Sequence, residues 1–122
     1  MIKWIFHILN IVVIILYLYP GSIAGYLIYD DYSKQPQITA DFLVSSNHLY
    51  AFLLLSVIGL LNYFKTKRNF ITIYLFAISI FLEVFHFVIP NRGFQFSDLF
   101  GNILGVLLSL LIFNLAKYWR KK

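Results

Sequence analysis

The chain has 122 residues, of which 61% are hydrophobic and only 12% charged. A soluble domain averages about 25% charged residues, and one this small could not hide so much apolar surface, so the composition places the chain in a membrane. Cysteine is absent, which excludes disulfides and thiolate chemistry, and the net charge of +5 reflects membrane topology before nucleic-acid binding.

Residues 4–19 form the first apolar run, broken only by His7 and Asn10, with Lys3, Trp4, Tyr17 and Tyr19 as interfacial anchors. The run is read as a retained helix and not a signal peptide, because Leu18-Tyr19-Pro20-Gly21 is no small-residue cleavage site. Pro20-Gly21 ends or bends the helix. Residues 21–47 mix Ile23, Tyr26, Leu27, Ile28, Tyr29 and Tyr32 with Asp30, Asp31, Lys34 and Asp41. That stretch is too polar to span and too aromatic to float free, so it is expected along the membrane surface with a short interfacial helix. Further spans are expected at 49–64, at 70–89 with Pro90 as its stop, and at 99–116. Their short connections make consecutive helices antiparallel neighbours. The expected fold is therefore a single all-α domain, an integral membrane bundle of four transmembrane helices.

Charge orients it. Lys3, Lys65, Lys67, Arg68, Lys117, Arg120, Lys121 and Lys122 fall on one side of a four-span arrangement, and Lys34 and Arg92 on the other. The positive-inside rule then puts both termini in the cytoplasm of a multi-pass protein.

Polar side chains in a bilayer core are costly and mark sites or interhelical glue. Positions three, four and seven apart share a helix face. Ser79, Glu83 and His86 therefore line the third span, and Asp98, Gly101, Asn102, Gly105 and Ser109 the fourth. The second span offers His48, Ala51, Leu55, Gly59 and Asn62. Gly59, Gly101, Gly105 and Ser109 are expected packing residues, since small side chains let helix backbones approach in lipid. His48, Glu83, His86, Arg92, Asp98 and Asn102 converge on the outer leaflet as a candidate pocket. Several roles stay open. Glu83 and Arg92 form a structural ion pair, or Arg92 grips a phosphate or carboxylate with its planar fork while Glu83 acts as acid or base. His48 and His86 shuttle protons or simply join helices. Asp98 caps the fourth helix. The Glu-x-x-His spacing occurs in di-iron bundles, but those need a second motif and more glutamates, and this chain has one. A single-metal site from His48, Glu83, His86 and Asp98 is the lesser alternative; the expectation is no metal and no cofactor.

Glu83-x-x-His86, then Arg92, then Asp98-x-x-x-Asn102-x-x-Gly105 resembles the pattern of the VanZ-like membrane family. His48 followed by Leu-Tyr-Ala-Phe is similar to that family's element opening the second span. The resemblance covers residues 40–113. One departure is that Val44 and Ser45 stand where members often carry Asp-Lys, with Asp41 the nearest acid. The resemblance implies a four-helix protein of the cell envelope, in the bacterial cytoplasmic (inner) membrane, from a family whose namesake is tied to glycopeptide resistance. The expected function is binding of an anionic, lipid-linked molecule in the outer-leaflet pocket, with membrane lipids as partners and no nucleic acid; whether it is an enzyme stays open. The alternative is a non-catalytic accessory subunit of a larger membrane complex, its polar cluster purely structural.

Overall fold

A computed structural model describes residues 2–34, 36–37, 40–41, 44–90 and 93–120. Among them every regular element is helical: α1 (Ile2–Leu18), α2 (Ile23–Tyr29), α3 (Ser46–Tyr63), α4 (Arg68–Val84), a 3-10 turn (Phe85–Phe87) and α5 (Phe96–Arg120). Two helical stretches, Arg68–Phe87 and Phe96–Arg120, are long and apolar enough to cross a membrane. The pair Lys3–Leu18 and Ile23–Tyr29, bent by 86°, makes a third if taken as one span. The helix expected at 49–64 forms as α3, but its first turn, Ser46-Asn47-His48, and Asn62 near its end dilute its hydropathy.

α3 is instead the centre of the bundle. Leu49, Phe52, Leu55, Ser56, Gly59 and Leu60 are all buried along it. Phe6, Val13 and Tyr17 of α1, Ile71, Leu75 and Leu82 of α4, and Val106 of α5 close the core around it. The outward faces carry Trp4, Ile8, Ile11 and Ile15 of α1 and Leu107, Leu111, Ile112 and Leu115 of α5, all exposed. In water each such face would forfeit about 25 cal/mol per Å² of apolar surface; in hydrocarbon it costs nothing. At 1.5 Å per residue α5 is about 37 Å long, beyond the ~30 Å of a bilayer core. Its last turn carries Lys117 and Arg120, beyond the length such a core would need.

The break after α1 has a definite cause. Gly21 adopts φ 131°, a region favourable only to glycine. Ser22 then caps α2, its Oγ accepting from the Gly25 N–H at 2.9 Å, and Asp30 ends α2 in the left-handed region. The chain folds back so that the Tyr32 ring stacks on Tyr26, centroids 4.4 Å apart. The α4 helix stops at Val84, short of Pro90, and tightens into the 3-10 turn that holds His86.

One end of the bundle is basic: Lys3 lies over the Tyr63 ring, and Arg68 donates to Asn114 Oδ1 at 2.7 Å. The polar residues of α3, α4 and α5 discussed below gather at the opposite end.

α3 and α5 pack backbone to backbone. A Cβ on Gly105 would sit 2.8 Å from both the Leu49 carbonyl and the Leu53 nitrogen, and one on Gly101 would sit 2.8 Å from the Ser45 carbonyl. Ser109 Oγ bridges the same seam to the Leu53 carbonyl at 3.2 Å. The expected packing roles of Gly101, Gly105 and Ser109 therefore rest on backbone contact. Gly59 differs, since a Cβ there would meet the Phe6 and Ile71 side chains. Gly105→Ala should cost about 1–3 kcal/mol by overpacking, whereas Leu107→Ala, on the exposed face, should change stability far less. Thermal unfolding in detergent reads the difference, and equal losses would mean that the α3–α5 seam is not the tight one.

Candidate functional site

Asn102, fully buried on α5, ties four helices together. Its Nδ2 donates to the Ser79 carbonyl of α4 at 3.0 Å. Its Oδ1 accepts from the Tyr17 hydroxyl of α1 at 2.7 Å and lies 3.1 Å from His48 Nδ1 of α3. Because Oδ1 can only accept, His48 carries its proton on Nδ1. That leaves Nε2 bare in the neutral ring, 3.8 Å from Asp98 Oδ1.

His86 repeats the pattern. Its Nε2 lies 2.8 Å from the Tyr17 carbonyl, an acceptor, so Nε2 holds the proton and Nδ1 is bare. Nδ1 then faces Glu83 Oε2 at 3.2 Å. Glu83 is fully buried. Its Oε1 accepts from the Gln95 N–H at 3.2 Å, tying the loop before α5 back to α4, while Oε2 has no hydrogen-bond donor and lies 3.8 Å from His48 Nδ1. Each anchored imidazole thus presents a bare nitrogen to a carboxylate oxygen. Two lone pairs facing each other repel, so a cation, a proton or a metal ion, is favoured between them, most of all at the 3.2 Å contact of Glu83 with His86. The arrangement offers nitrogen and oxygen donors to a cation.

The structure thus brings His48, Glu83, His86, Asp98 and Asn102 together. The expectation that Glu83 pairs with Arg92 falls on a residue outside the described ones; the described partners of Glu83 are the Gln95 backbone and the two histidines. The capping role read for Asp98 is corrected. α5 starts two residues earlier, at Phe96, so Asp98 lies inside its first turn and turns toward His48.

Two contributors were not placed at the site in the sequence reading. Tyr17, read as an interfacial anchor, is buried and supplies both its hydroxyl and its carbonyl to the cluster. The signal was its spacing, since Phe6, Val13 and Tyr17 share one face of α1. Asp41 caps α3 from the loop, its Oδ1 accepting from the Ser46 N–H at 2.9 Å, where Ser45 makes no side-chain cap. That Ser46 N–H above all, helped by the Ser46 hydroxyl and the Gln37 amide, holds the Asp41 carboxyl below the usual carboxylate range.

Beside the cluster, α1, α2 and the start of α3 enclose an open cavity of about 880 Å³. His48 and Asp98 belong to its wall, with Tyr17, Ser22, Gln37 and Asp41. Glu83 and His86 stand behind that wall.

No family model, curated protein or solved structure matches the chain.

Two outcomes follow from this geometry. Asn102→Leu removes the shared partner of the Tyr17 hydroxyl, the His48 imidazole and the Ser79 carbonyl, and should destabilise by about 2 kcal/mol or more; Asn114→Ala, at the exposed Arg68 contact, should cost well under half of that in the same melt. Asp41 has a depressed folded-state pKa, so its stabilisation is complete above the unfolded value of about 3.9 and is lost as pH falls through the folded value. The stability gap between wild type and Asp41→Asn should therefore close below about pH 4, and a gap that widened on acidification would exclude the cap.

Proposed function

We propose that the chain is a VanZ-like, four-span protein of the bacterial cytoplasmic membrane, with both termini inside. Its outer-leaflet cavity would hold the anionic headgroup of a lipid-linked molecule. The observation that carries this reading is that His48 and Asp98 belong at once to the polar cluster and to the wall of the 880 Å³ cavity. Polar atoms of Ser22, Gln37 and Asp41 line the same space, and Leu16, Ile23 and Ile28 supply apolar wall for an acyl chain. α3 completes the fourth span in this reading. Its polar first turn sits at headgroup depth, where the hydropathy it loses is not needed. The basic end marked by Lys3 and Arg68 then lies in the cytoplasm, as the positive-inside rule asks. Anion recognition is assigned to Arg92, whose guanidinium is the group suited to phosphate or carboxylate.

Ala51 lines the cavity without joining the polar cluster, so Ala51→Phe fills the space and leaves the chemistry alone. Mass spectrometry of protein purified from its own membrane should find a retained anionic lipid in wild type, lost in Ala51→Phe at a similar melting temperature. Absence of any retained molecule, or equal retention in both, would overturn the pocket.

The accessory-subunit reading has one observation in its favour: Asn102 and His86 find their partners within the protein. If the cluster only locks the bundle, Glu83→Gln with Arg92→Gln should keep full function in a stable protein. If it serves a ligand, the double variant should fold and stay inactive.

A further inference from the structure

We propose that His48, Glu83 and Asp98 form a binding site for one divalent transition-metal ion at the inner wall of the cavity. One ligand atom from each of the three lies within 4.8 Å of the other two. That is close enough for a metal bonded at about 2.0–2.2 Å to nitrogen and oxygen to draw all three in with small side-chain movements.

Three independent features support it beyond proximity. The first is charge. Glu83 and Asp98 are two carboxyl groups, each carrying a negative charge when ionised, and the ion partners they have among the described residues are the histidines alone. A divalent cation neutralises the pair in one step. The second is the unmet oxygen: Glu83 Oε2 is fully buried, aimed into the cluster and without a donor. The third is the orientation of His48. Its Nδ1–H is held by the Asn102 carbonyl oxygen, which leaves Nε2 directed at Asp98; Glu83 Oε2 lies 3.8 Å from the Nδ1 side of the same ring and turns toward Nε2 to join the ion. Metal-binding histidines are ordinarily fixed in this way, with the far nitrogen donating to a carbonyl or carboxylate.

One imidazole with two carboxylates is a donor set for zinc, manganese or iron(II), harder than a thiolate site and softer than a calcium cage. Three protein ligands leave at least one coordination position open. His48 and Asp98 border the cavity, which gives water or a headgroup oxygen a path to that position. His86 Nδ1, 3.2 Å from Glu83 Oε2, is the nearest further donor. The site therefore has an entry path and an oriented imidazole without help from any residue outside the described ones.

The test uses the full chain in detergent, purified without a polyhistidine tag, stripped with chelator and titrated separately with Zn²⁺ and Mn²⁺. The expected result is one ion per chain for at least one of the two metals. Asp98→Asn and Glu83→Gln should each weaken that binding by more than about tenfold, the lower end of what even outer-sphere partners contribute, while His7→Ala leaves it unchanged. X-ray absorption on metal-loaded wild type needs no variant to fold, and should show a nitrogen and oxygen shell with imidazole scattering. No stoichiometric binding of either metal, binding unaltered in both carboxamide variants, or a shell of water oxygens alone would overturn the site. Metal binding and lipid retention are read separately. Metal without retained lipid would refute the pocket only, and retained lipid without metal would refute this proposal only.

Discussion

The bundle depends on a single carboxamide. Asn102 sits where α1, α3, α4 and α5 meet, its Oδ1 shared by Tyr17 and His48 and its Nδ2 given to Ser79. In hydrocarbon the apolar side chains of one helix are as content against lipid as against another helix. Interhelical hydrogen bonds, worth about 0.6–2 kcal/mol each, and close backbone packing must therefore decide which helix faces which. Gly101 and Gly105 let α3 approach α5 on either side of Asn102. The amide then selects the rotation of every helix it touches. Once Tyr17 and Ser79 are drawn to it, His48, Glu83 and His86 have little freedom left.

That economy shapes the chemistry. The same bonds that orient the helices also set the histidine tautomers, because both anchoring partners are acceptors. Two bare nitrogens and two carboxylates consequently converge on one small volume beside a cavity. A cluster built only to hold helices together would pair donors with acceptors and be finished. Here the glue at Asn102 is in place, and the oxygen left without a hydrogen-bond donor is Oε2 of Glu83, with Asp98 close by across His48. The division between a satisfied hub and an unsatisfied rim is what separates a structural role from a binding one within a space of a few residues.

Much of the helical layout was legible in the order of residues. Apolar runs and breakers located α1, α3 and α5 to within four residues and the start of α4 to within two, because helix formation in these stretches follows from local hydropathy and from Pro20-Gly21. Ser79, Glu83 and His86 fell on one face by spacing alone, as did Asp98, Asn102, Gly105 and Ser109. The start of α5 at Phe96 was not legible: no strong cap residue marks it, and Asp98 offered itself as a more obvious boundary. Nor was the stop at Val84, which serves to aim His86 at Tyr17 and so depends on another helix.

By itself, then, the sequence determined that the chain is helical and membrane-suited, which faces are polar, and at which end the polar groups gather. These properties are local or periodic, carried by neighbours a few positions apart. Only the tertiary structure decided that Tyr17 joins the cluster, that Asp41 caps α3 from a loop, and that α1 and α2 fold over His48 and Asp98 to make a cavity. Each of these joins residues distant in the chain, and no periodicity encodes a contact whose geometry is set by a glycine turn, a backbone carbonyl and the close approach of two helices.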